Sequence, residues 1–273
     1  MPRTDRLGIT VSLVLLGLVL AMLVPLPERR VAFVVLGSEL SLRFSGPGQL
    51  AVILTTLVCA GVDAIMRTHP AVYPRSLFYT ATFWVLPGLL TLAGLTLLND
   101  MTWWVYRMVL IGLTGMLLAF VMVLQFRSID PAVEGHPGAR LALNVVVYIA
   151  ALILFIELYG ARLRSVVSAT GILAASGALA LELLRDAMGY AGGKARRTWL
   201  YAGVIAILMG ETTWALNYCG IDSRLGGAFL LLIFYVLTGL AQQYLWQRLD
   251  RRAVIEFIAL CAVGTGALFR LAL

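Results

Sequence analysis

Glu211 stands well inside Thr198–Gly220, a run of apolar residues long enough to cross a bilayer. A carboxylate at that depth costs about 2.5–3.5 kcal/mol on insertion scales, so it marks a counter-charge, a wet cavity or a working site. On a helix, Trp214 and Tyr218 follow at i+3 and i+7 and share its face, and Asn217 adds an amide nearby. Three further charges, Glu157, Arg270 and Arg107, fall towards the same predicted outer half of the membrane. Two chemistries follow. In the preferred, structural one, a Glu211–Arg270 or Glu157–Arg270 ion pair satisfies both charges, and removing one member would cost about 3–5 kcal/mol. In the functional one, Glu211 is a proton- or cation-coupled site in an outward-facing cavity.

Enzyme chemistry finds little footing. The chain has no HExxH, no GxSxG, no paired aspartates in adjacent spans and no phosphate-binding GxxxxGK[ST] loop. Gly192–Lys194 is followed by Ala195 and does not follow a strand, so it is read as a turn. Asp63, Glu182 and Glu256 lack the grouping that would hold Mg²⁺, and are expected as solvated helix ends. Cys59, Cys219 and Cys261 show no CxxC spacing and read as small hydrophobes. His69 and His136 each precede a proline in a connection, which is no place for haem ligands. No catalytic residue, cofactor or metal site is expected.

The elements that must position these residues are membrane spans. Of the 273 residues 61% are hydrophobic and 13% charged, with a mean hydropathy of +0.92. A soluble domain lies nearer 45–50% and about 25%. The apolar excess runs along nearly the whole length, so residues 1–273 read as a single integral membrane domain. The net charge of +7 does not imply nucleic acid, because most of the basic residues sit in short connections between apolar runs. There they set topology and meet anionic lipid headgroups.

The first span follows Arg3 and Arg6 and is too long for a signal peptide. After it, residues 27–48 have the only strand-like texture. Val31, Phe33 and Val35, then Leu40, Leu42 and Phe44, recur with period two around Gly37-Ser38. This predicts an amphipathic β-hairpin at the outer membrane surface, suited to a protein partner and too small to stand alone in water. Further spans are predicted over Gln49–Met66, with an Asp63–Arg67 pair at its end, and over Leu77–Leu98, with a kink at Pro87-Gly88. After a tight turn at Asn99-Asp100 come Trp103–Phe126, which opens on an aromatic belt, then Leu141–Gly160 and Val166–Leu184. The last of these is rich in small residues and should be central and packed. Thr198–Gly220, Leu225–Trp246 and Ala253–Leu273 complete the series.

The fold expected is an all-α polytopic transmembrane helix bundle of about nine spans, carrying the short extracytoplasmic β-hairpin after the first. With the N-terminus in the cytoplasm and the C-terminus outside, 13 basic residues lie on the inner side and 8 on the outer. The Arg162/Arg164 turn falls outside in this scheme, against the rule; eight spans is the fallback that would move it inside. The segment ELYGARLRSVVSATGILAASGALAL faintly echoes QQYLWQRLDRRAVIEFIALCAVGTGALF, as inverted transporter repeats would. Two functions are carried forward. The leading one is a non-enzymatic subunit or scaffold of a membrane complex, in the inner membrane of a bacterium. The other is a small secondary transporter with its acidic site at Glu211.

Overall fold

A backbone surrounded by lipid has no water to bond, so each apolar run must close its own hydrogen bonds as a helix. The computed structural model describes residues 4–23, 27, 29–35, 38–44, 46–69, 72, 80–129, 136–161, 165–185, 195–247 and 250–272. Among them nine helices form: α1 (Thr4–Leu23), α2 (Gly46–Met66), α3 (Val85–Asp100), α4 (Trp104–Arg127), α5 (His136–Gly160), α6 (Ser165–Arg185), α7 (Ala195–Asn217), α8 (Ser223–Leu245) and α9 (Arg251–Ala272). Seven of these are long and apolar enough to cross a membrane: α1, α2 and α4 to α8. The chain is a helical, membrane-located protein.

Between α1 and α2, strands β1 (Arg29–Val35) and β2 (Ser38–Phe44) pair antiparallel. The register sets Val31 opposite Leu42 and Phe33 opposite Leu40, the positions that alternation marks as apolar. Pairing continues out to Val35 and Ser38, so Ser38 belongs to a strand and not to the turn expected at Gly37-Ser38.

The third apolar run is interrupted just before the predicted kink: Thr80 and Ala81 are helical, a tight turn follows in which Phe83 and Trp84 donate to the Thr80 and Ala81 carbonyls at 3.0 and 3.1 Å, and α3 begins at Val85. Pro87 therefore stands in the first helical turn, where its missing N–H leaves no helical bond broken. The turn predicted at Asn99-Asp100 is still helix, and the chain turns at Met101, which is extended (φ −80, ψ 126). Trp103, Trp104 and Tyr106 lie exposed around the start of α4, as an interfacial belt requires.

The chain divides into two compact units, Met1–Arg140 and Leu141–Leu273, with the division inside α5. In the first, α1 packs on α2, α2 on α3, α3 on α4, and α4 back on α1. Lipid tails are as apolar as leucine, so these seams depend on close fit and not on a hydrophobic drive. At the α1–α2 seam Gly61 has the Thr10 side chain lying where its own Cβ would be.

In the second unit the most extensive seam joins α6 to α7. Half of the α6 apolar window is buried, more than in any other of the seven. Ser168, Ile172, Ser176, Leu179 and Leu183 form the buried stripe, repeating every three to four residues as one helix face must. Facing it, α7 buries Ala202, Ile205, Ala206, Met209 and Thr213. Helix α8 packs against α6, α7 and α9. Its Phe234 meets Phe155 of α5 edge-on at 5.6 Å, and its Thr238 hydroxyl lies 3.2 Å from that of Tyr148. Helix α9 attaches through Phe257, set over Gly239 and beside Tyr235, and through Gly264 against Leu232.

Candidate intramembrane polar site

Helix α7 ends because the chain leaves through Gly220 at φ +63, a conformation open to glycine at little cost, and Asp222 then caps α8 by accepting from the Arg224 N–H at 3.2 Å. This fixes the rotation of α7 about its axis together with the α6 seam. Ala202, Ala206 and Thr213 turn inwards, and the opposite side is left open. Glu211 lies on that open side, with Ile207 one turn before it and Trp214 and Tyr218 after it, 54%, 54% and 76% exposed. The Trp214 and Tyr218 rings meet at 6.3 Å, edge to face. So the face predicted from i, i+3 and i+7 forms, but it points away from the unit.

The expected ion pairs do not form. Glu211 and Arg270 are both exposed, and neither has a hydrogen-bond or ion-pair partner among the described residues. The reason is architectural: α8 packs against both α7 and α9, and the charged faces of those two helices lie off these seams. Glu157 is half-buried near the end of α5, and it too makes no pair with Arg270. Arg107 belongs to the first unit, where its Nε donates to the Met101 carbonyl at 2.6 Å and closes the turn between α3 and α4. It is a local cap. Asn217 is also tied down, donating from Nδ2 to the buried Ser168 hydroxyl at 3.1 Å across the α6–α7 seam. The predicted constellation thus separates into Glu211 with its aromatic neighbours, an exposed Arg270, a half-buried Glu157, and two structural groups, Arg107 and Asn217.

Other charged groups fare differently from expectation. Glu182 and Arg185 are no solvated end: they pair through both guanidinium nitrogens, at 2.9 and 3.1 Å, with side chains only 3% and 11% exposed. Gln242 of α8 donates to the adjacent Leu183 carbonyl at 3.1 Å, showing that this end of α6 is packed over. The i, i+3 spacing was the signal in the sequence; that the helix end would be covered was not. Asp63 does pair with Arg67 at 2.7 Å, as i, i+4 geometry predicts. Among the described residues no three His, Cys, Asp or Glu side chains group to hold a metal ion. The side chains of Phe33, Val35, Leu40, Leu42 and Phe44, and the Arg162/Arg164 turn, lie outside the described residues.

A family model covers residues 26–270, from just before β1 to the end of α9. The chain belongs to the family described as Protein of unknown function (DUF5656). No curated protein and no solved structure matches it. The DUF5656 match takes in the β1–β2 pair, Glu211 and Arg270.

Proposed function

We propose that the protein is a non-enzymatic subunit or scaffold of a membrane complex. The observation that carries this reading is the position of Glu211. A charge needed for transport belongs in a cavity, whereas this one lies on an open helix face between large apolar side chains, with no counter-charge among the described residues. A lone carboxylate facing lipid is costly. A second polypeptide laid on α7 would bury that face and supply the counter-charge.

The proposal includes a location and an orientation: nine spans in the cytoplasmic membrane of a bacterium, N-terminus inside, C-terminus outside, with the β1–β2 hairpin on the outer surface. The excess of basic residues on the inner side supports that orientation. The hairpin, with Phe33, Val35, Leu40, Leu42 and Phe44 along its strands, then offers a second, extracytoplasmic partner surface. A two-stranded sheet is marginal alone and gains most from such a partner.

The test is recovery of the tagged chain from its own membrane in a lipid-preserving polymer. A stoichiometric second polypeptide, or a second copy, is expected. A chain recovered singly at every extraction condition overturns the reading. Glu211→Gln should weaken recovery of that second polypeptide while leaving the chain folded. Abolition of a measured ion or solute flux by that change, with folding intact, would establish transport instead.

A further inference from the structure

We propose that the chain self-associates as a two-fold dimer in which Glu211 of each copy pairs with Arg270 of the other. The inference rests on reading the α7 face as an assembly surface, and goes beyond it by naming the occupant.

Glu211 is exposed on α7 and Arg270 on α9, and each lacks a partner among the described residues. Glu211 lies within a long apolar helix, where an unpaired charge is costly and an opposite charge from outside the unit is the direct remedy. Arg224 is exposed too, but it stands in the first turn of α8 beside its own capping Asp222.

Depth supports the pairing. Helices α7, α8 and α9 follow one another through short connections, so α7 and α9 run in the same direction and their C-termini share one side of the membrane. Glu211 lies six residues before the end of α7 and Arg270 two before the end of α9. At a rise of 1.5 Å per residue those are depths of about 9 and 3 Å from the helix ends, a difference an arginine side chain bridges. A two-fold axis along the membrane normal leaves every residue at its own depth, so a partner group must match in level, and these two do.

Shape is also permissive. The open face of α7 presents Val204, Ile207 and Trp214 beside the carboxylate. Helix α9 attaches to its unit by a single stripe, leaving Val263 exposed on the face that carries Arg270. In the proposed dimer the α7 face of each copy meets the α9 face of the other, giving two identical ion pairs, as an isologous interface requires.

Charge reversal tests this. Glu211→Arg alone sets two arginines opposite each other, and Arg270→Glu alone sets two glutamates opposite each other. Both should be monomeric in lipid particles. Co-expressed under different tags, the two variants should recover a mixed dimer at the wild-type level, because in that pairing both contacts are again of opposite sign. Arg224→Glu should leave the dimer intact. Should a reversal prevent insertion, Glu211→Gln and Arg270→Gln serve, read by energy transfer between labelled chains in vesicles at fixed protein-to-lipid ratio. Each should weaken association about tenfold. Single reversals that remain dimeric, a mixture that fails to recover, or glutamine variants of unchanged affinity overturn the pairing. If a stoichiometric foreign partner is found while these variants change nothing, the subunit reading stands and this dimer falls.

Discussion

At the residue scale the strongest single commitment is the Glu182–Arg185 pair. Two charges buried side by side are tolerable only because each is the other's solvent. Arg185→Ala should therefore lower stability by about 3–5 kcal/mol, while replacing both residues with leucine should cost less than the single change. Thermal unfolding in detergent distinguishes the two; equal losses would mean the pair is exposed. The Asn217–Ser168 hydrogen bond is weaker by nature, because the separated helices find other partners in the membrane. A double-mutant cycle with alanine at both positions should give a coupling of about 0.6 kcal/mol. Zero coupling would mean that the contact is not made.

At the element scale the α6–α7 seam is held by fit, and Gly177 is its closest approach. A Cβ there would come within 2.9 Å of the Ala206 Cβ, so Gly177→Val should force the helices apart and cost about 1–3 kcal/mol. The same change at Gly203, on the open side of α7 with nothing within 4 Å, should be far milder. A matched loss at both would refute the seam. Beyond α8 the chain turns at Gln247, held at φ 55 where glycine is the usual occupant. Gln247→Gly should raise the melting temperature slightly, and Gln247→Val should lower it.

The seam also explains what was legible in the sequence. Apolar length alone marks the helical runs, because in lipid a long apolar run has no alternative to helix; it does not fix how many of them cross. The small residues of Val166–Leu184 likewise announced a packed helix. Which way α7 faces was harder. Ala202, Ala206 and Gly210, spaced by four, mark the side where α6 approaches, and Glu211 lies about 140° round from Ala206 at 3.6 residues per turn. That pattern is present in the sequence, but it does not say whether the carboxylate on the other side meets an arginine of the same bundle. The partner of Arg107 is hidden for a different reason: hydropathy shows that a charge is near an interface, not that a carbonyl six residues earlier waits for it.

At the scale of the whole molecule the account is one of a helical membrane protein whose main polar anomaly is on its surface. The proposed nine spans put the two termini on opposite sides of the membrane. Reporter fusions should therefore give an N-terminus active only inside and a C-terminus active only outside. Both on one side would favour eight spans. The central claim, though, is that the open face of α7 is covered in the membrane by protein. Its most direct test is a photo-reactive side chain at Ile207, one turn from Glu211 on the same exposed face, activated in intact membranes. The account predicts a defined protein adduct of twice the chain mass, lost in Glu211→Arg and regained on co-expression with Arg270→Glu. Labelling of lipid alone, at every expression level, would contradict it.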